Sequence, residues 1–135
     1  MRVVLDTNVI VSGVLTAGGT CARILDLVAD GVLALAANDH ILAEYDRVLR
    51  RSELNIPPED AATVMELIRS VADPAAAVPL PVRLPDPDDA PFLEVAAATE
   101  SILVTGNSRH FPKKAREGVV VLSPAELLEL LRQSR

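Results

Sequence analysis

Three groups of carboxylates stand where a fold could bring them together. Asp6 lies in "VVLDTN", where the apolar run Val3–Leu5 stops at a carboxylate, a hydroxyl and an amide before apolar character resumes at Val9. Glu44 lies in "ILAEYDRVL", and Asp86, Asp88 and Asp89 lie in "DPDDAPFLEVAAA". Carboxylates crowded into one pocket repel one another unless solvent or a cation separates them. Mg²⁺ and Mn²⁺ take oxygen ligands, commonly carboxylates completed by water and phosphate. A cation held this way activates water and neutralises charge on a phosphoryl group. The chemistry suggested is metal-assisted attack on a phosphate. Each group also has a plainer reading: Asp6 as a helix cap, Glu44 as a solvated side chain, and the aspartates as a turn with an N-cap.

Other catalytic apparatus is missing from the sequence. There is no Walker A loop, GxGxxG, CxxC or GxSxG, and His40 and His110 stand too far apart for a zinc motif.

The elements that must position the carboxylates follow from apolar spacing and caps. Residues 2–6 and 32–37 read as buried strands. Cys21, Ile24, Leu25 and Val28 form a helical stripe closed by Gly31. Asn38 or Asp39 caps a helix whose apolar face is Ile41, Leu42, Tyr45, Val48 and Leu49. On that helix Glu44 lies about 40° around from Val48, at one margin of the stripe, and Asp46 lies at the other. Spacing alone does not choose between them. A further helix runs from about Pro58 to Val71.

Six of the ten prolines fall in residues 74–91, which reads as a connector with a short strand near 78–82. Asp88 or Asp89 caps the helix that follows, with Pro91 in its first turn. Residues 102–105 and 119–122 read as strands. The last helix opens with a capping box, Ser123-Pro124-Ala125-Glu126, and packs through Leu127, Leu128, Leu130 and Leu131. Short apolar strands alternating with helices imply a parallel sheet covered on both faces. Ligands of such sheets bind beyond the carboxyl ends of the strands, where Asp6, Asn8 and the "VTGN" segment fall.

The chain has 135 residues, which suits one domain spanning 1–135. Half of it is hydrophobic and only 2% aromatic, so aliphatic side chains must fill the core. No apolar run reaches the ~18 residues of a membrane span. The first residues lack a signal-peptide pattern, and a single cysteine, Cys21, forms no internal disulfide and reads as a helix-face core residue. A cytoplasmic location is expected. The net charge of −6 argues against a broad basic nucleic-acid face. "NSRHFPKKAR" nevertheless gathers Arg109, Lys113, Lys114 and Arg116, which suit phosphate contacts or a solvated loop. His110 reads more simply as a packing partner of Phe111 than as a substrate contact.

"LDTNV", "ILAEYDRVL", "DPDDAPFLEVAAA" and "ILVTGNSRHFP", in that order, resemble the PIN domain, and especially its branch of toxins from VapC-like toxin–antitoxin systems. The resemblance covers nearly the whole chain. It implies an α/β fold, a three-layer α/β/α sandwich around a mainly parallel sheet. It also implies a Mg²⁺- or Mn²⁺-dependent endoribonuclease that leaves a 3′-hydroxyl and a 5′-phosphate. By position, the family's acids fall on Asp6, on Glu44 rather than Asp46, and on Asp89, with Asp88 if the helix register slips. The fourth, often Asp, is Asn107 here, which keeps an oxygen ligand and removes a charge. Thr7, Asn8 and Thr105 would orient the ligands or water around them.

The partners implied are RNA, a small cognate antitoxin, and further copies of the chain as a homodimer or higher homo-oligomer, with no membrane. The main alternative is a weakly active or non-catalytic PIN-fold scaffold or RNA-binding protein. A phosphotransfer enzyme with Asp6 as nucleophile is a second alternative. It is disfavoured because Asn8 stands where the dehalogenase pattern wants an aspartate.

Overall fold

The computed structural model describes residues 1–134; Arg135, the last residue of the expected single domain, lies outside them. Strand β1 (Arg2–Leu5) is followed by helices α1 (Thr7–Leu15) and α2 (Thr20–Ala29) and by strand β2 (Ala34–Ala37). Helices α3 (Asp39–Leu49) and α4 (Pro58–Val71) lead to the two-residue strand β3 (Asp73–Pro74). Helix α5 (Ala90–Thr99), strands β4 (Ile102–Val104) and β5 (Val121–Leu122), and helix α6 (Pro124–Gln133) complete the chain. The sheet order is β3-β2-β1-β4-β5 and every pairing is parallel. The architecture is a three-layer α/β/α sandwich around an all-parallel sheet.

The chain winds outward from β1 to β2 and β3, then returns to the other side of β1 as β4. The β1/β4 boundary is therefore the point where strand order reverses, and the crevice beyond the carboxyl ends of such strands is the place where α/β sheets bind ligands. Val3, Val4 and Leu5 are fully buried, as a strand covered on both faces requires. Tyr45 of α3 is buried beneath β1 and donates its hydroxyl hydrogen bond to the Leu5 carbonyl. Its ring packs against Phe92 of α5, with centroids 6.4 Å apart. One aromatic pair thus locks α3 and α5 under the end of β1, which fixes where Glu44 and Asp89 begin.

Several local expectations are refined. The stretch 7–15, assigned no element from the sequence, is a helix whose first turn buries Thr7, Val9 and Ile10. The short strand expected near 78–82 does not form. Pro79 and Pro81 remove two ladder donors there, and the edge strand is Asp73–Pro74, in register with Ala36 and Ala37. The strand expected over 119–122 is shorter, Val121–Leu122. Asn38, not Asp39, caps α3, its side chain accepting from Ile41 N at 2.9 Å. The Ser123–Glu126 capping box forms with both of its hydrogen bonds.

Candidate metal centre

Asp6 ends β1 and caps α1. Its Oδ1 accepts from Thr7 N at 2.8 Å, and its Oδ2 accepts from Thr105 Oγ1 at 2.8 Å and from Asn8 Nδ2 at 3.2 Å. The plainer reading of this residue holds, and the carboxylate that caps the helix also lies at the crevice. Thr105 follows β4 directly, so a side chain from each strand at the switch point meets here. Asn8 bridges the same two ends, because its Oδ1 accepts from Gly106 N at 2.9 Å. A Cβ at Gly106 would stand 3.3 Å from that oxygen, tight enough to push it away.

Asp89 arrives from the other side. The proline–aspartate segment folds into a 3₁₀ turn over Pro87–Asp89, capped by Asp86, whose Oδ1 accepts from Asp88 N at 2.9 Å. Neither Asp88 nor Asp89 caps α5 with its side chain. Asp86 and Asp88 remain exposed, while Asp89 turns inward and is only 8% exposed. Its Oδ2 is buried without a hydrogen-bond partner. The nearest charge partner is His110 Nδ1 at 3.1 Å, and that contact does not have hydrogen-bond geometry.

Burial is the main reason the Asp89 carboxyl is pushed up to about 6, and Asp6, Asp86 and Glu44 add to it against the opposing pull of His110. Burial likewise pushes Asp6 upward, opposed by its hydrogen bonds from Thr105 and Thr7. Carboxylates held in this state, with His110 beside them and no Lys or Arg among the described residues paired to them, fit a divalent cation.

Asp6, Asp89 and His110 can each present a ligand atom within 4.8 Å of the others. Glu44 is not in that tight group. Its Oε2 accepts from Thr7 Oγ1 at 2.9 Å and its Oε1 pairs with Arg47 at 3.1 Å. Thr7 therefore links Glu44 to Asp6 through one backbone residue. Asp46 faces away and pairs with Arg50 at 2.8 Å. Asn107 donates its backbone N–H to Thr105 Oγ1 at 3.0 Å, and its side-chain amide meets His110 Nε2 at 2.9 Å.

His110 is the site residue that sequence reasoning set aside. The signal for it is the spacing Asn107-x-x-His110 across the 3₁₀ turn Ser108–His110, a conformation in which positions i and i+3 eclipse. Phe111 alone packs inward. Of the basic loop, Arg109, Lys113 and Lys114 are exposed, whereas Arg116 is half-buried and donates its Nε hydrogen bond to the Phe111 carbonyl at 2.8 Å.

The sequence itself matches a known family. The family model described as "PIN domain" matches residues 2–109, and the chain belongs to that family. A solved structure of similar fold is the crystal structure of VapBC2 from Rickettsia felis bound to a DNA fragment from their promoter. It matches with a TM-score of 0.64 and 17% identity, over 91% of this chain and 98% of that one. A search of curated proteins finds no match.

Proposed function

We propose that this PIN domain, a single domain over 1–135, is a metal-dependent endoribonuclease and the toxin of a toxin–antitoxin pair. The observation that carries the reading is the buried, unpartnered Oδ2 of Asp89 facing Asp6 at the β1/β4 switch point. Two desolvated carboxylates held in this way either keep a proton or take a cation, and oxygen donors of this kind suit Mg²⁺ or Mn²⁺. Asp6, Asp89 and Glu44 would hold Mg²⁺ or Mn²⁺, Glu44 through water while it keeps its bond from Thr7. When bound, the cation supplies Lewis acidity for in-line hydrolysis of a phosphodiester, leaving a 3′-hydroxyl and a 5′-phosphate.

The chain's own groups do the positioning. Thr105 and Asn8 fix Asp6 Oδ2, and Thr7 fixes Glu44, so the carboxylates are oriented before any ligand arrives. Asn107 keeps its amide on His110 and acts on the site from there; Asp88 stays at the rim. Arg109, Lys113 and Lys114 offer phosphate contacts beside the crevice, with Arg116 shaping their loop.

The structural neighbour is a VapBC complex bound to promoter DNA, which supports a small DNA-binding antitoxin as the partner of this chain. We propose a cytoplasmic location and self-association into a homodimer or higher homo-oligomer on the family resemblance. Among the described residues no single helix is long and apolar enough to cross a membrane.

The experiment is cleavage of a mixed RNA pool by purified protein with Mn²⁺ or Mg²⁺, with an EDTA control and Asp6→Asn. Cutting that requires the cation and disappears in Asp6→Asn is expected. Cutting that persists in EDTA, or survives Asp6→Asn in full, refutes the reading. A folded protein that cuts nothing and gains little stability from Mn²⁺ would instead favour the non-catalytic RNA-binding scaffold, which the neutral Asn107 in place of a fourth acid otherwise supports.

A further inference from the structure

We propose that His110 is a ligand of the cation held by Asp6 and Asp89, its Nδ1 facing the site and its Nε2 held by the side-chain amide of Asn107. The inference rests on the metal-dependent reading above and adds to it a nitrogen donor that the carboxylates alone do not supply.

The geometry supports this in three ways. His110 Nδ1 lies 3.1 Å from Asp89 Oδ2 without hydrogen-bond geometry, although Oδ2 is buried and has no other partner. Two neighbouring ligands of an octahedral ion at about 2.1 Å stand about 3.0 Å apart, so this separation fits one edge of a coordination shell, while the misaligned ring leaves it unused as a hydrogen bond. The potential ligand atoms of Asp6, Asp89 and His110 all lie within 4.8 Å of one another, close to the span across one ion.

The far side of the ring completes the argument. A metal-binding imidazole donates its other N–H to an oxygen that fixes its tautomer and orientation. Asn107 stands at that place, 2.9 Å from Nε2. An amide turned end for end presents Oδ1 there and accepts the Nε2 hydrogen, which leaves the Nδ1 lone pair for the cation. Asn107 is itself anchored, its backbone N–H bonded to the Thr105 hydroxyl that also holds Asp6. The neutral residue at position 107 is then a positioning residue for His110 and not a weakened fourth ligand. An imidazole beside two carboxylates shifts preference from Mg²⁺, which keeps oxygen ligands, toward first-row transition ions.

The test is three-pulse electron spin-echo spectroscopy of the full chain loaded with Mn²⁺ alone, with calorimetric titration of Mn²⁺ and Mg²⁺ alongside. Nitrogen modulation from a bound imidazole is expected in the wild type and in His40→Gln, and is expected to vanish in His110→Gln. His110→Gln should weaken Mn²⁺ binding by about tenfold or more while changing Mg²⁺ binding by less than about threefold. Asn107→Ala should keep the nitrogen signal and lose about tenfold in Mn²⁺ affinity. Mn²⁺ bound without nitrogen modulation, or modulation that survives His110→Gln, overturns the proposal and leaves the carboxylate site standing. Failure to bind Mn²⁺ at all overturns both.

Discussion

Replacing Asp89 by asparagine should stabilise the protein without metal and cripple its response to metal. The Asp89 carboxyl is raised from 3.8 to about 6, chiefly by burial and then by Asp6. The folded state therefore holds a proton between those values where the unfolded chain has already released it. Stability contributed at this position falls as pH rises through that window, and the whole penalty is present above it.

The gap corresponds to about 3 kcal/mol, and partial solvent access at the rim reduces this to about 1–2 kcal/mol. Asparagine has the same shape and no charge, so Asp89→Asn should recover about 1–2 kcal/mol at about pH 8 and nothing below about pH 3.8. At about 4 °C per kcal/mol for a chain of this length, that is a rise in Tm of about 4–8 °C in EDTA. Mn²⁺ at a hundred times its Kd would add about 2.7 kcal/mol to the wild type, more than the variant's advantage, so the order should reverse. Thermal scans of both proteins at two pH values, with EDTA and with Mn²⁺, read all eight values. A variant no more stable than wild type in EDTA at high pH, or one that keeps the full Mn²⁺ response, refutes the argument.

Four other outcomes follow from particular contacts. Thr7→Val removes the hydroxyl that holds Glu44 Oε2; titration should show metal affinity about 10- to 100-fold weaker, as for lost outer-shell partners. Tyr45→Phe leaves the buried Leu5 carbonyl without its donor and should cost about 1–3 kcal/mol by denaturant unfolding. Ser123→Ala breaks the capping box of α6 and should cost about 1 kcal/mol by the same measurement. Reversing the charge of Lys113 and Lys114 should weaken RNA binding and reduce the magnitude of its salt slope by about 1.4, the value for two contacts to a single strand.

The sheet was legible because its strands are short apolar runs that end in polar residues, and because buried parallel strands read that way from either face. The caps at Asn38 and Ser123 were legible because a side-chain oxygen must meet orphan amides at fixed offsets. Helix α1 was not, because its stretch 7–15 carries Thr7, Asn8 and Ser12 among apolar residues and looks like an interrupted strand. The β3 position was hidden by a connector whose prolines say where a ladder cannot run but not where it does.

Among the site residues, Asp6 announced itself by following β1 directly. Which of the three clustered aspartates turns inward depends on the 3₁₀ turn that Asp86 caps, a choice that spacing does not make. His110 was passed over because its neighbour Phe111 offered an easier account, and its place beside Asp89 depends on contacts between residues 21 positions apart.

The most direct test of the central claim is a crystal structure of the Mn²⁺-loaded protein with anomalous data collected near the manganese edge. The account predicts a single strong peak between Asp6 and Asp89 at the carboxyl ends of β1 and β4, within about 2.2 Å of an oxygen from each. A peak on the exposed pair Asp86 and Asp88, or none at the β1/β4 switch point, would contradict it.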